Sequence, residues 1–176
     1  MPSVFVLGTL ASKVTFGAKT PSSEGLDMDP LLDKLKSFDW PLPDQDDDSY
    51  QEIKRRIAAA GKRRRLLTYS ELVQGIEFQI PSIKNGQPFR LNVGGWTGQD
   101  RHIIGQFLGK LSCESYEEYG FMANALVVDA VEGRPSKNFF GWMEYVEAIP
   151  DKSEKEVLRF WAGQVQKAHT WYRKHG

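Results

Sequence analysis

The chain has 176 residues, of which 40% are hydrophobic and 26% are charged, so it is long enough to bury one sizeable core. No run of the sequence approaches the roughly 18 apolar residues that a membrane span needs. The single cysteine, Cys113, excludes an intramolecular disulfide and is typical of a reducing compartment. We therefore expect a cytoplasmic protein that does not enter the membrane.

The net charge of zero conceals an uneven distribution of charge along the chain. Residues 1–49 hold 4 Lys and Arg against 9 Asp and Glu, residues 50–110 hold 11 against 4, and residues 111–176 hold 8 against 10. The middle third therefore carries +7, which favours binding of a polyanion such as nucleic acid. An equally open interpretation is that this basic third docks on the acidic first third.

Residues 1–49 are predicted to form an N-terminal arm or small subdomain that ends in an acidic linker. Two short strands are predicted at residues 4–7 and 13–16, and Asp29 before Pro30 is typical of a helix start. The proline-punctuated and acidic residues 40–49 then mark a domain boundary.

Three aspartates in this linker have the spacing of a calcium-binding loop. Asp44, Asp46 and Asp48 match the first ligand positions, but the sixth and twelfth positions hold Ser49 and Arg55 instead of Gly and Glu. We therefore predict no metal site, and we expect the acids to lie near a helix N-terminus, where its dipole favours them.

Residues 50–176 are predicted to form an α+β domain, a winged-helix-like core of several short helices with a β-hairpin insertion and a long C-terminal helix. A Thr68–Glu71 capping box predicts one helix, and Asn85-Gly86 between two alternating runs predicts a hairpin over residues 76–93. Ser153 with Glu156 predicts the start of the C-terminal helix.

The stretch from Thr97 to Phe140 has the order expected of a helix, a second short helix and a wing. Thr97 and Asp100 predict the first helix, and Ser115 with Glu118 predicts the second. A strand over residues 125–131, a turn over residues 132–135 and a second extended piece would complete the wing.

Two short motifs resemble the DNA-binding half of the alkylguanine-DNA alkyltransferase and alkyltransferase-like family. The T-Y-S-E-L of residues 68–72 is similar to that family's Thr-Tyr-Gly-x-Leu helix start, and the I-G-Q-F-L of residues 104–108 is similar to its Val-Gly-x-Ala-Leu recognition helix. The resemblance implies a winged helix-turn-helix that binds DNA. The family's Pro-Cys-His-Arg motif has no counterpart in this chain, so alkyl transfer is not implied.

These patterns predict a non-catalytic nucleic-acid-binding protein, with duplex DNA as the target. Arg101, Gln106 and Lys110 would face the groove from the recognition-type helix. The residues predicted to hold phosphates are Lys62, Arg63, Arg64, Arg65, Arg134 and Lys137. An ordinary amphipathic helix with a solvated basic end explains Lys62–Arg65 equally simply.

Two alternatives stay open. The first is a protein-interaction module with an exposed apolar patch around Trp96 or Trp142, which would form a homodimer or bind a protein partner. The second is an enzyme with an unrecognised site, which a deep pocket lined by acids that converge with His102 would favour. No catalytic motif supports the second, Cys113 is surrounded by acids that would raise its pKa, and we predict no cofactor.

Overall fold

A computed structural model describes residues 29–176, and the strands predicted at residues 4–7 and 13–16 lie outside the described part. The fold is of the α+β class and is dominated by helices. The helices are α1 (Pro30–Lys36), α2 (Pro41–Gln45), α3 (Asp47–Lys62), α4 (Tyr69–Val73), α5 (Gly98–Tyr119), α6 (Lys137–Tyr145) and α7 (Glu154–His175). The strands are β1 (Leu67–Thr68) and β2 (Val127–Val128).

Four helices begin where short polar side chains accept hydrogen bonds from the first turn, as the sequence predicted. Asp29 caps α1 and Ser153 caps α7. Thr68 and Thr97 cap α4 and α5 through complete capping boxes, in which the third helical residue also accepts from the cap residue's N–H. These contacts satisfy N–H groups that have no partner within the helix.

Helix α5 is one continuous helix of 22 residues, so the prediction that a second helix begins at Ser115 is wrong. Ser115 is buried in the last turns of α5, where its hydroxyl donates to the Phe121 carbonyl over 2.9 Å and accepts from the Ala123 N–H over 3.0 Å. It therefore fixes the chain that follows the helix instead of starting a new one. The predicted stop at Gly120 is confirmed, with φ at 75°.

The predicted β-hairpin is reduced to a single antiparallel bridge between Phe78 and Phe89, which exchange two hydrogen bonds of 2.8 and 2.9 Å. A longer ladder would use the N–H groups of Ile76 and Gln87, but these donate to the carbonyls of Val73 and Lys84 in local turns. Residues 76–93 therefore form a loop that is closed by one bridge and anchored by buried phenylalanine rings.

The predicted wing is not formed, because its second extended piece is the start of helix α6. Phe139 and Met143 are four residues apart and both are buried, which is the spacing of a helix face. The strand predicted over residues 125–131 is only β2, and a turn closed by the Gly133 N–H on the Asp129 carbonyl follows it. The observed order is therefore strand, turn and helix, instead of the strand, turn and strand that a wing requires.

Strands β1 and β2 pair in parallel, with Leu67 opposite Val127 and Thr68 opposite Val128. Because the strands are parallel, the segments that leave them emerge at the same edge. Helix α4 starts directly after Thr68, and the turn that leads to α6 starts directly after Val128. The short sheet therefore brings these two segments together.

The core has two clusters of buried side chains, and α5 and α7 contribute to both. The larger cluster surrounds Ile53, Phe78 and Phe107, and the smaller one surrounds Leu35 and Met143. Helix α7 crosses α3 at Gly61, where an added Cβ would overlap the Tyr172 ring.

None of the helices in the described range is both long and apolar enough to cross a bilayer.

The proline-rich and acidic segment is packed on the domain. Leu42 and Pro43 are buried in α2, which contacts α5. Asp46 is buried and accepts from the N–H groups of Ser49, over 3.1 Å, and Gln79, over 2.8 Å. Helix α3 begins at Asp47, so the boundary predicted at residue 49 falls within its first turn.

Two glycines one turn apart on α5 have opposite surroundings, and this contrast gives a stability prediction. A Cβ at Gly109 would overlap the Trp40 ring, whereas a Cβ at Gly105 would meet no atom within 4 Å. We expect Gly109→Ala to lower the free energy of unfolding by about 1–3 kcal/mol through overpacking. Gly105→Ala should raise it by about 0.5–1 kcal/mol because alanine favours helix. Urea denaturation measures both, and shifts in the same direction would contradict the packing described.

A charged contact between α3 and α4 gives a pH prediction. Arg56 donates from its guanidinium to the carbonyls of Leu72 and Gln74 at the end of α4. Hydrogen bonds from Arg55 and Arg56 lower the pKa of the Glu52 carboxyl to about 2. The unfolded chain therefore takes up a proton at Glu52 below about pH 4.5, whereas the folded chain does so only near pH 2, so acid destabilises the fold.

We expect Glu52→Gln to lose less stability than the unmodified protein between pH 5 and pH 2.5, by roughly 1 kcal/mol after solvent screening. Glu77→Gln is the matched control, because the pair that Glu77 forms with Arg90 is longer, at 3.7 Å, and both of its side chains are exposed. Chemical denaturation at each pH measures the effect. If Glu52→Gln and Glu77→Gln lost equal stability between pH 5 and pH 2.5, the acid sensitivity would not arise from Glu52.

Candidate functional site

A cleft of about 870 Å³ lies where the two parallel strands end. Its sides are the beginning of α4, the N-terminal half of α5, the turn after β2 and the beginning of α6. A volume between about 300 and 1,000 Å³ is typical of sites that bind small molecules or parts of larger ones. The cleft is therefore the candidate functional site.

The floor of the cleft is the exposed face of α5. The capping box of Thr97 starts this helix so that Arg101, Gly105 and Gln106 point into the cleft, while Ile103 and Phe107 point into the core. Gly105 has no side chain, and it leaves open space above the helix backbone. At Gly109 the cleft ends, because the Trp40 ring lies directly on the helix there.

Aromatic side chains form two walls of the cleft. On one side Trp40 and Trp142 meet edge to face with ring centroids 5.6 Å apart, and Phe38 stacks behind Trp40 at 5.6 Å. On the other side Tyr69 and Trp96 meet edge to face at 6.5 Å. These rings offer flat apolar surfaces to a planar ligand.

Buried polar atoms without hydrogen-bond partners are concentrated in this cleft. Among the residues described, such side-chain atoms occur in Trp40, Gln106, Asn124 and Trp142, all of which line the cleft. Asn124 is 7% exposed, and its backbone N–H donates to Ser112, whereas its side-chain oxygen has no partner. A buried polar atom without a partner costs about 1–3 kcal/mol, so this concentration indicates a binding site.

The Trp40 indole differs from the other three side chains, because it interacts with the thiol of Cys113. Burial raises the pKa of the Cys113 thiol, and an interaction with the Trp40 indole opposes this rise in part. The indole N–H therefore lies beside the thiol, so Trp40 contributes to the cleft mainly through its ring. The atoms left to bind a ligand are the Gln106 and Asn124 side-chain oxygens and the Trp142 N–H.

The rim of the cleft is basic. Arg101, His102 and Lys137 line it with exposed side chains, and none of them has a carboxylate partner within 4.0 Å among residues 29–176. The carboxylate in the lining is Asp129, which accepts from the N–H groups of Val131, over 2.8 Å, and Glu132, over 3.0 Å. An anionic ligand would therefore meet the Arg101 and Lys137 cations at the rim, neither of which is paired with a carboxylate of the described residues.

In the described part of the chain, the cleft lacks the converging acids that would favour an enzyme. Beside His102, its lining among the described residues holds one carboxylate, that of Asp129. Hydrogen bonds from Glu132 and Val131 lower the pKa of Asp129, so it stays ionised and caps the turn. No group of three His, Cys, Asp or Glu side chains among residues 29–176 is placed to hold a metal ion.

Of the nine residues predicted to contact nucleic acid, Arg101, Gln106 and Lys137 meet in the cleft. The prediction that Lys110 faces the same groove is wrong. Its ammonium pairs with Asp44 of α2 and lies 5.2 Å from the centre of the Tyr50 ring, on the side of α5 that α2 and α3 cover. Lys110 lies one helical turn after Gln106, and its side chain is already outside the cleft.

Two other predicted phosphate contacts are engaged within the protein. Arg134 pairs with Glu154 at 2.5 Å and with Glu132 at 3.4 Å, so its charge is largely compensated. Lys62 donates to the backbone oxygen of Gly176 over 2.6 Å. Neither contributes a free cation to the cleft.

Arg63, Arg64 and Arg65 are exposed and have no carboxylate partner within 4.0 Å among the residues described. Arg64 lines a second groove of about 500 Å³ with His169 and Arg173 of α7. The described acids of residues 29–49 do not neutralise this segment, because their contacts are with other groups, such as Lys110 and the N–H groups of Ser49 and Gln79.

The exposed apolar patch that an interaction module requires is not found in the described part of the chain. Trp96 and Trp142 are half-buried in the cleft walls. The large apolar side chains that are exposed there are Val93, Val131, Tyr145 and Leu158, which belong to four different segments.

The sequence interpretation missed the polar atoms that make the cleft unusual. Asn124 and Trp142 had no recognisable motif, and only the high tryptophan content, five in 176 residues, was a signal for them.

Comparison with models of known protein families, with curated proteins and with solved structures gave no match to this chain.

Proposed function

We propose that the protein binds nucleic acid without catalysis, and that the basic rim of the cleft contacts the phosphates. The observation that carries this proposal is the convergence of the two cations Arg101 and Lys137, which come from two different helices and lack carboxylate partners in the described structure. Clustered cations of this kind supply the sequence-independent part of nucleic-acid affinity.

The shape of the cleft favours an unpaired strand over a duplex. A helix that reads duplex DNA protrudes so that it can enter the major groove. Here the exposed face of α5 is the floor of a depression between Trp96 and Trp142. Bases of a single strand can enter such a depression and stack on aromatic rings. Duplex DNA, which the resemblance to the alkyltransferase family implies, is the competing target.

The exposed arginines at the end of α3 extend the proposed contact surface. Thr68 lines the cleft and Leu66 lines the second groove, so the two basic depressions lie at successive positions along the strand β1 segment. A strand bound at the cleft rim would meet Arg64 and its neighbours if it continued past β1. This arrangement gives the +7 segment a role in binding.

Salt dependence of binding tests the rim. We expect the protein to bind a fluorescein-labelled 20-nucleotide single strand more tightly than the matching duplex in anisotropy titrations. Arg101→Ala and Lys137→Ala should each reduce the slope of log affinity against log salt concentration by about one, because each removes one phosphate contact. Lys167→Ala, a change at an exposed lysine of α7, should leave the slope unchanged.

The same titrations test the extension. The triple variant Arg63→Ala, Arg64→Ala, Arg65→Ala should reduce the slope by about two to three. Absence of binding to either oligonucleotide at low salt would overturn the proposed function. Binding in which all variants keep the slope of the unmodified protein would move the interface away from both basic surfaces.

A further inference from the structure

We infer that the cleft holds one nucleoside monophosphate unit, with the base between the aromatic walls, its edge on Gln106, Asn124 and Trp142, and its phosphate at the rim. This inference rests on the proposed function where the unit belongs to a strand. A free nucleotide has the same chemistry and would fit the same cleft.

The walls select a flat ligand. Trp142 and Tyr69 belong to the two aromatic pairs that line the cleft, and each is fixed in place by its neighbour in the pair. Tyr69 meets Trp96 and accepts a hydrogen bond of 3.2 Å from the Ser136 N–H, which ties this wall to the beginning of α6. A heteroaromatic base stacks on such rings, and stacking is worth about 1–3 kcal/mol per base.

The interior selects a ligand with hydrogen-bonding groups along an edge. The side-chain oxygens of Gln106 and Asn124 accept, and the Trp142 indole donates, yet none of these three atoms has a partner. An aliphatic or simple aromatic ligand would leave them unpaired. A nucleobase carries donors and acceptors together on one edge, so it can satisfy both kinds of group at once.

The cations at the rim of the cleft suit the phosphate of the ligand. Arg101 lies five residues before Gln106 on α5, and Lys137 lies at the beginning of α6, close in sequence to Trp142. A ligand whose base reaches the amides therefore directs its phosphate towards exposed cations. Asp129, the carboxylate in the lining, accepts the two N–H groups of its own turn on Oδ1, so one negative charge stands against the two cations.

Gly105 offers a way to close the cleft without disturbing the fold. Nothing lies within 4 Å of a Cβ built there, so a leucine side chain would fill the space over the cleft floor. Gly163 of α7 is the matched control, because it is also a helical glycine with nothing within 4 Å, and it does not line the cleft. Leucine improves helix propensity at both positions, so both variants should fold.

The test measures binding of AMP, GMP, CMP and UMP by calorimetry, with ribose 5-phosphate as the base-free control. We expect at least one nucleotide, or the 20-nucleotide single strand, to bind the unmodified protein and Gly163→Leu alike. Gly105→Leu should weaken that binding by at least about tenfold, because its side chain clashes with the base. Trp142→Phe keeps a ring but removes the N–H, and should weaken it by roughly three- to tenfold.

The outcomes separate the two proposals. Loss of nucleotide binding in Gly105→Leu supports a free nucleotide as the source, and loss of oligonucleotide binding alone supports a strand. If oligonucleotide binding depends on Arg101 but is equal in Gly105→Leu and Gly163→Leu, the proposed function stands and the inference is wrong. If ribose 5-phosphate binds as tightly as the nucleotides, the cleft does not recognise a base and the inference is also wrong.

Discussion

The contact of the Trp40 ring with Gly109 sets the geometry on which the rest of the structure depends. The ring approaches the helix so closely that any side chain at position 109 would overlap it. Trp40 is the residue before α2, and it also meets Phe38 after α1 and Trp142 of α6. One indole therefore joins three helices to α5 and forms the closed end of the cleft.

Helix starts were predictable from the sequence because they depend on contacts within four residues. The side chains of Thr68 and Thr97 meet their own first turns, whatever the rest of the chain does. Ser115 and Glu118 have the same spacing, but Ser115 is buried and its hydroxyl bonds to the chain after α5, so burial overrides the local signal. The hairpin stops at one bridge because local turns use the N–H groups that a longer ladder would need. The wing is not formed because Phe139 packs in the core as part of a helix.

The basic side chains of the candidate site were predictable from the sequence, but its unpaired polar atoms were not. Arg101 and Gln106 lie five residues apart on α5, about 140° apart around the helix, so helical spacing alone does not place them on one face. Gln106 and Lys110 lie four residues apart and are expected on one face. Lys110 follows the same rule but meets Asp44 of α2, a contact between distant parts of the chain that no local pattern contains. The unpaired oxygen of Asn124 is likewise a property of packing, since it depends on which groups fail to reach it.

That unpaired oxygen has a consequence for the amount of protein in the cell. Each buried polar atom without a partner lowers the free energy of unfolding by about 1–3 kcal/mol, and Gln106, Asn124 and Trp142 each contribute one to the same cleft. A ligand that pairs with these atoms binds only the folded chain and so stabilises it by mass action. The folded fraction, and with it resistance to proteolysis, would then rise and fall with the supply of ligand.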